Sequence, residues 1–139
     1  MNIREQVSKG STTEIPMIIS VDDHLVEPPH LWETWLPKKF QEKGPRVERR
    51  RLGEMLWVGG PKMYEYELDT PDAPWCDIWF YEDLVHPNKR HVAAVGFARE
   101  EMTLSPITYD EMRPGCYEPK ARVEDMISNH VEASLSFPT

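Results

Sequence analysis

The clearest hydrophobic pattern near the start of the chain is one short apolar run. Residues Met17–Val21 are hydrophobic and partly β-branched apart from a single serine. Such a run is typical of a buried β-strand. It leads directly into the polar residues Asp22, Asp23 and His24. We therefore predict a strand whose carboxyl end carries these three side chains.

A second pattern lies near residue 120. Pro119 suits the first turn of a helix, and Val123, Met126 and Ile127 recur on one helical face, so the sequence predicts a helix that ends near residue 130. The residues at 132–137 then alternate as a strand. Strand, long excursion, helix and strand is the order of a βαβ unit, which favours parallel strands. We predict parallel pairing between the two apolar runs, 17–21 and 133–137.

The middle of the chain shows weaker patterns. Residues 30–36 predict a short amphipathic helix, and a second helix is expected to begin at Pro37 and stop at Gly44. Residues 46–67 alternate imperfectly and are interrupted by glycines, which predicts a small antiparallel meander. Residues 69–101 are interpreted as aromatic-rich loops, with the smoother sequence HVAAVGFAR as an edge strand.

These elements define the expected fold class, which is α/β. A complete (β/α)8 barrel takes about 250 residues, so we interpret the 139 residues as the N-terminal portion of a TIM-type barrel, roughly its opening third to half. Residues 1–16 are expected to form an arm and residues 17–139 the barrel portion, with a loop-rich, partly antiparallel insertion at about 25–118. The open strand edge of such a unit predicts an oligomer or a partner that supplies the remainder of the barrel.

Charge argues against a nucleic-acid partner. The formal net charge is −8, which repels phosphate backbones unless basic residues are segregated on one face. The single basic cluster contains Arg46, Arg49, Arg50 and Arg51, and Glu48 interrupts it. A solvated hairpin is the favoured interpretation of this cluster.

Neither a membrane span nor a secretory signal is expected. No apolar run approaches membrane-spanning length, and the first residues are charged with no apolar segment. The two cysteines, Cys76 and Cys116, lack metal-type spacing and are too few for a disulfide scaffold. A cytoplasmic protein with free thiols is the expectation.

Candidate chemistry lies at the end of the first strand. Alternation along a strand places Asp22 and His24 on one face, with Ile18 and Ser20 below them, and Asp23 on the other. A carboxylate with an imidazole suits zinc, manganese or iron, and barrel enzymes build their sites at the carboxyl ends of strands. The alternative is that Asp22 caps the following turn and His24 is an ordinary hydrogen-bonded residue.

Two stretches resemble the amidohydrolase-related family that includes aminocarboxymuconate-semialdehyde decarboxylase-like enzymes. ISVDDHLVEPPHLWETWLP resembles the start of that family, and ITYDEMRPGCYEPKARVEDMISNHVEASLSFPT resembles its passage from the first crossover helix into the second strand. The resemblance implies that Asp22 and His24 are the acidic variant of the family's first pair of metal ligands. It also implies that the remaining ligands come from strands beyond residue 139.

By resemblance, the expected activity is hydrolysis of a C–N or C–O bond, or nonoxidative decarboxylation, of a small-molecule substrate. The implied cofactor is a divalent metal, with zinc favoured and manganese or iron as alternatives. The active site would be incomplete without the rest of the barrel, in the same polypeptide or in a partner subunit. Two alternatives remain open: a noncatalytic structural subunit of a larger metalloenzyme, and a component of a metal-dependent oxygenase.

Overall fold

The described part of the chain contains more strand than helix. The structure, a computed structural model, describes residues 15–60 and 64–138, so nearly all of the expected arm at 1–16 lies outside the described residues. In chain order the elements are β1 (Ile18–Leu25), α1 (Leu31–Trp35), α2 (Lys38–Gln41), β2 (Arg46–Arg51), β3 (Leu56–Trp57), β4 (Tyr64–Glu65), β5 (Trp75–Tyr81), β6 (Leu84–Pro87), α3 (Pro119–Ser128) and β7 (Val131–Pro138). Among these helices, none has the length and apolar character needed to cross a bilayer.

The first and last strands form a parallel pair. β1 runs beside β7, with Ser20 opposite Ser134 and His24 opposite Phe137. This pairing confirms the prediction from the two apolar runs. α3 begins with a proline in its first turn, as predicted, and His130 has a φ of 56°. That left-handed residue ends the helix and turns the chain directly into β7.

The β1 and β7 pair is exposed, in contrast to the prediction of a buried strand. Within the described residues the pair has no third strand beside it, and α3 packs against one face only. Large apolar side chains therefore remain open to solvent on all three elements. They are Ile18, Ile19, Val21, Val123, Ile127, Leu135 and Phe137.

The segment between β1 and α3 contains an antiparallel sheet, as predicted, but with a different pairing. The sheet has the order β2-β5-β6, and β3 pairs only with β4 in a separate ribbon. The antiparallel meander predicted at 46–67 is confirmed for β3 and β4 but is wrong for β2, which takes its partner from the region interpreted as aromatic loops. Leu52, Cys76 and Ile78 are fully buried in the core beneath this sheet, so burial of these side chains favours the longer-range pairing.

The expected edge strand in HVAAVGFAR is also absent from the described residues. Arg90–Ala93 instead forms a 3-10 turn, and Gly96 has a φ of 94°. A positive φ reverses the chain direction and is incompatible with an extended strand. Ala93 is buried in a second core, which explains why this turn bends inward.

The second core fixes the carboxyl end of β1. Val26, the residue after the strand, is buried there with Ile107, Tyr109 and Cys116. Its backbone N–H donates to the carbonyl of Cys116 at 2.9 Å. The Tyr109 hydroxyl donates to the carbonyl of Glu27 at 2.7 Å. The strand end that carries the candidate ligands is therefore anchored by the inserted segment.

Candidate metal site

β1 does not alternate regularly along its length. Ser20 lies opposite Ser134, whereas Asp23 lies opposite Ser136, so three steps along β1 match two along β7. A second register shift, between Ile18 and Ile19, has the opposite sense. The irregularity between Ser20 and Asp23, here called the bulge, lets these two residues share a face. The Ser20 hydroxyl donates to Asp23 Oδ1 at 2.7 Å. The prediction that Ser20 lies below Asp22 and His24 is therefore wrong.

Asp22, which lies within the irregular stretch between Ser20 and Asp23, converges with His24. His24 Nε2 lies 3.6 Å from Asp22 Oδ1, and both side chains are largely exposed. The imidazole lies beside Phe137, with 6.0 Å between the ring centroids. Asp23, between the two residues in sequence, bonds to Arg122 of α3, so the pair occupies the strand face opposite that helix. The structure thus places the two predicted side chains together.

The separation of the two donor atoms suits a shared cation. Two donors bound to zinc at about 2.1 Å in tetrahedral geometry would lie about 3.4 Å apart, close to the separation found here. One carboxylate oxygen with one imidazole nitrogen also suits zinc, manganese or iron. Across residues 15–60 and 64–138, no group of three or more His, Cys, Asp or Glu side chains is arranged to hold a metal. The pair by itself falls short of the three or four ligands that zinc sites use.

Asp23 occupies the opposite face and is extensively hydrogen-bonded. It accepts hydrogen bonds from Ser134 Oγ, Ser20 Oγ and Arg122 Nη2, the last at 2.8 Å. The hydrogen bonds from Ser134 and Ser20, with a smaller contribution from Arg122, lower the pKa of Asp23. Alternation predicted the direction of this side chain. It gave no signal for the contact with Arg122, which lies on a distant part of the chain.

The basic cluster is matched by carboxylates. Arg49 donates to Asp77 and Asp110, and Arg50 donates to Asp69. These hydrogen bonds raise the pKa of both arginines. Guanidinium groups held in this way have fewer donors left for phosphate contacts, consistent with a solvated structural role.

Both cysteines are free and buried, which confirms the expectation of free thiols. Burial raises the pKa of Cys76 to about 12 and also raises that of Cys116. Since the thiolate is the form that reacts and binds metal, neither residue is suited to nucleophilic or ligand chemistry.

Partial burial of His86 in β6 predicts a pH-dependent contribution to stability. Burial, and secondarily the charge of Lys89, lower its pKa from the ordinary 6.5. The unfolded chain therefore binds the extra proton first, so this stabilisation is present above about pH 6.5 and is lost as the pH falls through the lowered folded-state pKa. We expect the free energy of unfolding to fall less between about pH 7 and about pH 5 in His86→Gln than in the wild type.

Urea denaturation at the two pH values measures this difference. The exposed His30 provides the control, because it is also a histidine but is not buried. If His86→Gln and His30→Gln lose the same free energy on acidification, burial of His86 does not contribute.

Comparison with protein-family models and with curated proteins finds no match to this chain. The interpretation of Asp22 and His24 therefore depends on their geometry and on the resemblance of the two sequence stretches. The geometry provides an accessible oxygen and nitrogen at the end of a parallel strand.

Proposed function

We propose that this chain is the N-terminal part of a metal-dependent enzyme of the amidohydrolase type, which hydrolyses a C–N or C–O bond or decarboxylates a small molecule without oxidation. The main support is the convergence of Asp22 and His24 near the carboxyl end of a parallel strand, on the face opposite α3. In (β/α)8 barrels the helices form the outer ring and the catalytic groups lie at the carboxyl ends of the strands. In that arrangement the pair would face the barrel interior.

Asp22 and His24 would hold a divalent metal, most readily zinc. Asp22 offers an anionic oxygen, and His24 offers Nε2 when its imidazole is neutral. The Phe137 ring lies beside the imidazole, with 6.0 Å between the ring centroids. A metal bound there would lower the pKa of a coordinated water and polarise a carbonyl group. The exposure of both side chains leaves room for further ligands and a substrate.

The exposed apolar face supports a proposed partner for this chain. Val21 of β1 and Leu135 of β7 are exposed in the described residues. Large apolar patches on soluble proteins commonly mark interaction surfaces. We propose that the remaining barrel strands, in the same polypeptide or in another subunit, cover this surface and add the missing ligands.

The metal assignment predicts the result of a zinc titration of the chain, followed by the side-chain NMR signals of its histidines. The wild type should bind zinc weakly, because two ligands fall short of a complete site. His24→Ala should lower the zinc affinity by about tenfold or more, since even loss of a group that only orients a ligand costs 10–100-fold. His30→Ala should bind like the wild type, because His30 is exposed and lies outside the site.

Equal zinc affinity in the wild type and His24→Ala would reject the ligand assignment. That outcome would favour the noncatalytic-subunit alternative. Unchanged zinc affinity in His30→Ala is the expected result of the control. It shows that loss of a histidine outside the site does not weaken zinc binding.

A further inference from the structure

The β-bulge in β1 determines where the candidate ligands point. Ser20 faces α3, since its hydroxyl reaches the Asp23 carboxylate that Arg122 also contacts. In a regular strand, residues two and four positions after Ser20 would share its face. Asp22 and His24 would then lie on the side of α3. The extra residue of the bulge places them on the opposite face instead.

One carboxylate connects the elements around this bulge. Asp23 accepts hydrogen bonds from Ser20 before the bulge, from Ser134 in β7 and from Arg122 in α3. Together these bonds fix the strand on both sides of the extra residue. A strand whose register slips by one residue turns every side chain to the other face, so the position of Asp22 and His24 depends on these bonds.

The surroundings of Arg122 make the arrangement costly to abandon. Among the described residues Arg122 Nε is buried and has no hydrogen-bond partner, while Nη2 forms an ion pair with Asp23 at 2.8 Å. Asp125 contributes a weaker charge interaction. Loss of the Asp23 carboxylate would remove the directly bonded partner of a partly buried cation. If the bulge relaxed, β1 could pair with β7 in another register. Asp22 and His24 would then no longer face away from α3.

We infer that Asp23 is a positioning residue for the Asp22 and His24 pair: it fixes the bulge that turns both side chains to the face opposite α3. Asp23 acts through the backbone of β1 and does not contact the metal. The inference rests on the proposed function of the pair, and it adds a further residue on which metal affinity depends.

Asp23→Ala is the direct test, and Asp125→Ala is its matched control. The Asp23 and Asp125 side chains have the same exposed fraction, 24%, and each pairs with one arginine. Asp125 hydrogen-bonds to Arg113, and its charge interaction with Arg122 is weaker than its interaction with Arg113. Loss of either carboxylate should destabilise the protein, so a thermal melt records the structural effect that the two variants share.

Two further measurements separate positioning from stability. Asp23→Ala should bind zinc about tenfold more weakly than the wild type, because relaxation of the bulge would turn Asp22 and His24 towards α3 and the Arg122 cation. In the metal-free protein it should also lose the nuclear Overhauser effect between the His24 and Phe137 rings. Asp125→Ala should retain both properties. Asp23→Asn keeps one acceptor oxygen, and its zinc affinity should lie between those of the wild type and Asp23→Ala, which keeps the test available if the alanine variant does not fold.

Wild-type zinc affinity together with a retained ring contact in Asp23→Ala would overturn the inference. Failure of the proposed function has a different signature. In that case His24→Ala would leave zinc binding unchanged, while loss of the ring contact in Asp23→Ala would still support the role of Asp23 in fixing the bulge.

Discussion

Replacing Asp77 with alanine should lower the free energy of unfolding by about 3 kcal/mol, the lower part of the range for breaking a buried ion pair. The Asp77 side chain is only 4% exposed. It accepts two hydrogen bonds from Arg49 and one from the backbone N–H of Tyr109, each at 2.8 Å. The substitution leaves these donors without their buried acceptor. The loss stays moderate because Arg49 is partly exposed and retains Asp110.

Urea denaturation monitored by tryptophan fluorescence measures the effect. Asp110→Ala is the appropriate control, because it removes a carboxylate from the same Arg49 at a side chain that is 76% exposed. Exposed ion pairs contribute about 0–1 kcal/mol. If the two variants were destabilised equally, burial of Asp77 could not be the source of its contribution.

Leu52→Ala should be destabilising to a similar or greater extent, by about 2–5 kcal/mol. Leu52 is fully buried beside Cys76 and Ile78. Truncation removes apolar burial and leaves a cavity that the surrounding sheet can fill only in part. Because this core lies beneath β2 and β5, the loss should reduce the stability of the whole inserted segment.

Leu56→Ala provides a comparison with the same change in chemistry. Leu56 is 53% exposed, and substitutions at such positions usually change the free energy of unfolding by about 0.5 kcal/mol or less. Urea denaturation of both variants measures this difference. If the slope of the unfolding free energy against urea concentration is unchanged, a shift in the midpoint reports stability alone. A loss in Leu56→Ala as large as that in Leu52→Ala would argue for tight packing of the β3 and β4 ribbon.

The parallel pair and its helix could be predicted from local patterns. The apolar run at Met17–Val21, the proline at 119 and the periodic Val123 and Ile127 each specify an element within a few residues. Their order then limits the connection to a parallel crossover. Burial of these side chains could not be predicted in the same way, because it depends on which other elements cover them.

The pairing of β2 with β5 could not be predicted from local alternation. Cys76, Asp77 and Ile78 are consecutive and all buried, so β5 has no period of two along this stretch. The buried aspartate makes the segment resemble a polar loop. Asp77 can be buried because it pairs with Arg49, which lies directly opposite in the neighbouring strand but is remote in sequence.

The candidate site could be predicted in part. Alternation brought Asp22 and His24 to one face, and their donor atoms lie 3.6 Å apart in the structure. The bulge itself depends on Ser134 and Arg122, which are distant along the chain. A pattern read along a single strand contains no information about either partner.

The hydrogen bonds at Val26 and Glu27 bring together the two ends of the segment between β1 and α3. Val26 bonds to Cys116 and Glu27 to Tyr109, so the segment returns the chain close to the point at which it left β1. Segments with adjacent ends and a core of their own can be inserted into a host fold without disturbing it. Over evolution, the interior of this segment could therefore gain or lose residues without displacing the strand that carries Asp22 and His24.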